Sequence, residues 1–121
     1  MKAKKLFFKE CHLAGARYND LDEVFEELRV GTELELVRDE DNRYDRNAVA
    51  VVYHQVDDEG LIEDYLIGYI PRDENETIAA LLEMGWGGVF RCTICRINPE
   101  AHYEQQIHIK ISIVRNEDRD N

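Results

Sequence analysis

Tyr44 is an aromatic ring set among charged and amide side chains: the run Arg38-Asp39-Glu40-Asp41-Asn42-Arg43-Tyr44-Asp45-Arg46-Asn47 holds no aliphatic residue. In such company a tyrosine either folds back over the edge of the core or stands free as a stacking platform for a flat ligand. In the second case the guanidinium groups of Arg43 and Arg46 lie beside it. Asn42 and Asp45 favour turns, because their side chains can bond backbone two residues on. Ala48 to Val52 is apolar and mostly β-branched and reads as a buried strand. A polar loop is thus anchored directly to the core, and loops held by a rigid scaffold are where binding residues collect. A second basic-aromatic pair, Arg17-Tyr18, follows the small, permissive Ala14-Gly15-Ala16, and Arg72 flanks another loop just past Pro71.

Other residues capable of chemistry fall short of a constellation. Cys92-x-x-Cys95 has zinc-site spacing, but such a site needs a second ligand pair, and neither another Cys-x-x-Cys nor a His-x₃-His is present. Residues three apart on a strand also point to opposite faces, so buried structural thiols are the expectation, and no metal or cofactor is expected. The acidic turn Asp57-Asp58-Glu59-Gly60 lacks the calcium-loop pattern and reads as solvated. The four histidines are scattered and read as surface positions. No Gly-rich phosphate loop, serine nucleophile elbow or Glu-x-x-His pair occurs, so the reading is a binding module, not an enzyme.

The elements that must position these residues follow from periodicity. Strands are expected over 6–13, 32–38, 48–53, 65–70, 89–97 and 106–114. The last of these alternates Ile107, Ile109, Ile111 and Ile113 inward against His108, Lys110 and Ser112 outward. Leu21, Val24, Phe25 and Leu28 mark one face of a short helix, with Asp20 as N-cap and Glu23 in capping-box spacing. Asp73 and Glu76 repeat that spacing before a second helix carrying Ile78, Leu81 and Leu82, which ends before Gly85. Gly68, inside a strand, marks a bulge or a close backbone approach. Trp86, between glycines, can either cap the core or stay exposed. Six strands, two short helices and many hairpins predict a mainly β chain, a small antiparallel β-barrel with helices over its open ends.

The 121 residues suit one domain, with 1–5 as an N-terminal extension, 6–114 as the folded unit and 115–121 as a flexible polar tail. No apolar run approaches the roughly 20 residues needed to span a bilayer. Three cysteines do not make a disulfide framework, which points to a reduced, cytoplasmic setting. The net charge of −11 counts against non-specific nucleic-acid binding, which uses a positive surface, and leaves room only for a local basic site.

Four segments taken together resemble the HIRAN domain family. They are His12-Leu13-Ala14-Gly15-Ala16-Arg17-Tyr18, Gly31 to Asp39, Asn42-Arg43-Tyr44-Asp45-Arg46-Asn47-Ala48 and Ile67-Gly68-Tyr69-Ile70-Pro71-Arg72. The resemblance covers about residues 6 to 114 and implies an OB-like barrel. Eukaryotic family members stand at the front of fork-remodelling translocases and capture the 3′ end of single-stranded DNA; stand-alone members occur in bacteria. It therefore implies a nucleic-acid-binding module for single-stranded DNA, recognising a 3′-hydroxyl end in repair or replication-related processes. Carried over by motif position, Tyr18 and Tyr44 stack on terminal bases, Arg17 and Arg72 hold phosphates, and Asp45 accepts a hydrogen bond from the terminal 3′-hydroxyl. Asn42 and Asn47 shape the loop. Arg43 stands where the family often has proline. The alternative class is an adaptor domain whose acidic surface attracts a basic protein partner.

Overall fold

The computed structural model of the chain describes residues 2–115. Six strands make one sheet: β1 (Lys5–His12), β2 (Glu33–Arg38), β3 (Val49–Val56), β4 (Ile62–Tyr69), β5 (Phe90–Ile97) and β6 (Ile107–Val114). Their spatial order is β1-β6-β5-β2-β3-β4, and every neighbouring pair is antiparallel. Two short helices, α1 (Leu21–Val24) and α2 (Glu76–Glu83), interrupt the strand order. This is the mainly β, antiparallel architecture the sequence implies.

The sheet curls but does not close strand to strand. Register shifts between Phe7 and Lys9, Val51 and Val52, and Ile94 and Arg96 bend three of its strands. The two edges meet at an isolated bridge. Ala14, just past β1, and Tyr69, the last residue of β4, exchange two backbone hydrogen bonds of 2.8 Å. Gly68 makes this meeting possible. A Cβ there would lie 3.0 Å from Leu13 Cβ and 3.1 Å from the Ala14 carbonyl oxygen, closer than the packed backbone allows.

The core follows the period of two. Leu34, Leu36, Val49, Val51, Ile67, Ile94, Ile107, Ile109 and Ile111 point inward, and Leu21, Val24, Ile78 and Ala79 close over them from the helices. Fully burying each of the larger aliphatic side chains contributes about 1.5–3 kcal/mol. Glu33 and Glu35 keep the wet face of β2.

Several local expectations change. The helix expected through Leu28 is one α-helical turn followed by a 3-10 turn, Phe25–Glu27. Val24 leaves helical geometry at φ −122° and ψ 0° where the α-turn passes into the 3-10 turn, and its side chain is buried as the apolar spacing predicts. Asp20 makes no side-chain cap; the turn closes through Glu23 N–H donating to the Asp20 carbonyl at 3.1 Å. Asp73 falls in a 3-10 turn, Arg72–Glu74, and the N-cap position of α2 is Asn75. Ser112, expected to face solvent, is buried, because it sits between the larger Phe7 and Arg91 in the ladders on either side. Trp86 is about half exposed.

Cys11 and Cys92 are buried, and burial pushes the Cys11 thiol up to about 12 and the Cys92 thiol up as well. Cys95 is the unpaired residue of the β5 register shift and is only partly buried. Among the described residues no group of three metal-ligating side chains gathers, and no helix is long and apolar enough to cross a membrane. Lys5, placed in the N-terminal extension by sequence, begins β1. Arg115, placed in the tail, donates its backbone N–H to the Lys4 carbonyl at 2.9 Å. Residues 116–121 of that expected tail lie outside the described residues.

Candidate nucleic-acid interface

The β2–β3 loop is built around its own polar side chains. Asn42 Oδ1 accepts from the backbone N–H of Tyr44 (2.9 Å) and of Asp45 (3.0 Å), an Asx-type turn that lifts residues 43 and 44 off the sheet. Asp45 Oδ1 accepts from the Asn47 N–H at 2.9 Å, and the Asp45 carbonyl accepts from the Ala48 N–H at 3.1 Å, which returns the chain to β3. Asp39 N–H donates to the Ala48 carbonyl at 3.0 Å and closes the base of the loop. Tyr44 is left 86% exposed. Of the two placements open to it from sequence, the free one is adopted.

Arg17 and Tyr18 lie on a separate 3-10 turn, Ala16–Tyr18. Gly15 enters it at φ +67°, a backbone region that favours glycine. The Gly15 N–H donates to Glu104 Oε1 at 3.2 Å, so the β5–β6 connection, which also carries the partly exposed Tyr103, braces this turn. Tyr18 is 83% exposed, with the Arg17 guanidinium 6.0 Å from its ring centroid.

Tyr69 joins the two segments. Its backbone bridges Ala14, three residues before Arg17, and its hydroxyl donates to Asp39 Oδ2 at 2.7 Å. Burial and that carboxylate raise the Tyr69 phenol above its ordinary range, so it remains a donor. Two residues beyond β4, Pro71 leads to Arg72, which is exposed. Asn75, 1% exposed at the start of α2, donates Nδ2 to Asp45 Oδ2 at 2.8 Å. Every expected site residue is therefore attached to the C-terminal end of β4 within a few bonds: Arg17 and Tyr18 through Ala14, Asn42, Tyr44, Asp45 and Asn47 through Asp39 and Asn75, and Arg72 through the chain itself.

The electrostatics of this end are divided. Asp39 and Asp45 are engaged by Tyr69, Asn42, Asn47 and Asn75. Arg43, Arg46 and Arg72 are exposed and have no ion-pair partner among the described residues. Asp39 and Asp45 thus organise the loops, Glu40 and Asp41 stay exposed beside them, and the guanidinium groups remain free for an external anion. Asp45 is expected from sequence to shape the turn, as its bond to the Asn47 N–H does, and by the resemblance to accept from a ligand; the bond from Asn75 is the part sequence does not supply. These bonds use two of a carboxylate's roughly four lone-pair sites. Tyr69, Asp39 and Asn75 join the site through the structure alone. Tyr69 and Asp39 sit inside the motifs quoted for the family, whereas Asn75 carries no local signal, since its partner is thirty positions away.

An open-edged antiparallel sheet with exposed aromatic rings and arginines on loops that Tyr69 links defines a class, the small mainly β module. The HIRAN domain family model matches residues 6–114, and the chain belongs to that family, a family of DNA-binding modules rather than of catalysts. A crystal structure of a protein from Lactobacillus plantarum is similar at 22% identity and a TM-score of 0.69, over 93% of this chain and 97% of that one. The crystal structure of the HIRAN domain of human HLTF is similar at 15% identity and a TM-score of 0.54, over 99% of this chain and 88% of that one. At these identities the two structures speak to the fold. No curated protein matches the chain.

Proposed function

We propose that this chain binds single-stranded DNA and captures its 3′-hydroxyl end, in repair or replication-related processes, at the face carrying Arg17, Tyr18, Tyr44 and Arg72. The observation that carries the reading is the pair of tyrosines, 83% and 86% exposed, hinged on one residue and flanked by unpaired arginines. Base stacking on aromatic rings is sequence-tolerant and contributes about 1–3 kcal/mol per base. Free guanidinium groups can supply phosphate contacts even on a protein of net charge −11, because Asp39 and Asp45 are engaged internally, although Glu40 and Asp41 of the same loop stay exposed and oppose them. Membership in the HIRAN family supports the same reading.

The 3′-end preference rests on Asp45. Its remaining acceptor capacity suits a terminal hydroxyl, which can donate. A 3′-phosphate brings like charge against it, and a continuing strand offers no donor. The test is a competition between otherwise identical oligonucleotides with 3′-hydroxyl, 3′-phosphate or only 5′ free ends. The 3′-hydroxyl strand is expected to win, and Asp45→Asn, with melting temperature as the control for loop integrity, is expected to erase its advantage over the 3′-phosphate. Equal affinity for all three ends overturns end capture. No binding of any single strand at low salt overturns the DNA reading in favour of a basic protein partner, which the acidic surface would attract.

A further inference from the structure

Toward the base of the β2–β3 loop, β2 and β5 part company. They pair only at Glu33 with Thr93 and Leu34 with Cys92. Beyond that point β2 stays with β3 as far as Arg38, and β5 stays with β6 back to Phe90. The divergence opens a cleft of about 580 Å³ lined by Leu34, Leu36, Leu82 and Phe90. That is the size and lining of a site for a small molecule.

Arg38 also lines this cleft. It is in phase with Leu34 and Leu36 on the strand, so a charged side chain occupies a position of the inward face. Its side chain is only 16% exposed, and Nη2 reaches no closer than 3.8 Å to the well-exposed Glu83 carboxylate. Nε and Nη1 are buried and have no hydrogen-bond partner. A buried guanidinium is unfavourable unless its donors are met, and Nη2, whose nearest carboxylate is 3.8 Å away, can grip an oxyanion with two parallel bonds together with either Nε or Nη1. Glu33, Glu35 and Arg91 also line the cleft; Arg91 Nη1 donates to the Gly88 and Phe90 carbonyls, and the two glutamates with Glu83 disfavour a multiply charged ligand.

We propose that the β2–β5 cleft is a binding site for a small monocarboxylate with an apolar body, its carboxylate held by Arg38 and its aliphatic or aromatic part packed on Leu36, Leu82 and Phe90. The cleft borders the base of the β2–β3 loop, since Arg38 precedes Asp39, but shares no residue with the tyrosine face, and the proposal does not rest on DNA binding.

The experiment is a nuclear magnetic resonance titration of the whole chain with 3-phenylpropionate, 3-phenylpropionamide and inorganic phosphate as probes. The carboxylate is expected to shift the amide signals of Leu34, Leu36 and Phe90 together with the Arg38 Nε–H signal. The amide, matched in shape but uncharged, is expected to bind roughly tenfold more weakly or worse. Arg38→Met is expected to keep the fold, since an apolar chain replaces a poorly paired charge, and to lose the preference for the carboxylate. Arg38→Lys, which keeps the charge without the fork, is expected to weaken the carboxylate as well and serves if the methionine variant does not fold. Three results would overturn the proposal: no shifts at these residues at millimolar probe, equal affinity for carboxylate and amide, or phosphate matching the carboxylate, which would mean an adventitious ion only.

Discussion

Tyr18 and Tyr44 take almost no part in the fold. Each stands in solvent with more than four-fifths of its surface exposed, so truncating either removes a ring and little else. Tyr18→Ala and Tyr44→Ala are expected to change unfolding free energy by no more than about 0.5 kcal/mol. Each is expected to weaken single-strand binding by about 1–3 kcal/mol. Denaturant titration and fluorescence anisotropy on the same preparations separate the two quantities. Asn75 is the opposite kind of residue. It is buried, touches no expected ligand and holds Asp45, so Asn75→Ala leaves a part-buried carboxylate oxygen without its donor. That change is expected to lower stability by about 1–3 kcal/mol and to weaken binding only through the loop. A binding loss as large as that of Tyr44→Ala, with stability unchanged, would contradict the assignment.

At the scale of elements, the decisive contact is between the end of β4 and the segment that follows β1. Gly68 lets Leu13 and the Ala14 carbonyl approach, and the bridge of Ala14 to Tyr69 then sets the turn bearing Arg17 and Tyr18. Gly68→Ala places a methyl group 3.0 Å from Leu13 Cβ and 3.1 Å from a backbone oxygen, and the backbone has less freedom to yield than a side-chain tip. The expected cost is about 1–3 kcal/mol of stability, with a shift of the Ala14–Tyr18 signals and weaker single-strand binding. Wild-type stability and unshifted amide resonances in that variant would show the approach to be looser than the geometry implies.

Across the whole molecule, the acidic surface couples to pH through one histidine. His54 on β3 lies between Asp64 on β4 and Glu35 on β2, with Nδ1 on Asp64 and Nε2 2.9 Å from Glu35. The Asp64 hydrogen bond chiefly, opposed by some burial and aided by Glu35, raises its pKa above the ordinary 6.5. A raised pKa means the folded state holds the proton more tightly than the unfolded chain. The resulting stabilisation is complete below pH 6.5 and is lost as pH climbs through the folded-state value. Melting temperature is therefore expected to fall over that window in the wild type by more than in His54→Gln. Parallel curves for the two proteins would remove His54 from the account. The half-exposed position of this group keeps the effect modest.

Much of this protein is local in origin. The alternation of Leu34 with Glu33 and Glu35, and of Ile107, Ile109 and Ile111 with their polar neighbours, suffices to place strands and their buried faces, because side-chain direction on a strand depends only on parity. The polar run from Asp39 to Asn47 announces a loop, and its asparagine and aspartate close that loop over two or three residues. What sequence could not decide is whatever needs a second segment. The helix breaks at Val24, and Ser112 is buried between neighbours on two other strands. Asp45 receives Asn75 across thirty residues, and Tyr69 ties together loops that begin at Ala14 and Asp39. The parting of β2 from β5, which leaves Arg38 buried and unpartnered, arises because each strand keeps a longer ladder with its other neighbour. Residue types fix which groups could bind; only the curling of the sheet around its apolar core, until Ala14 meets Tyr69, decides which of them are linked.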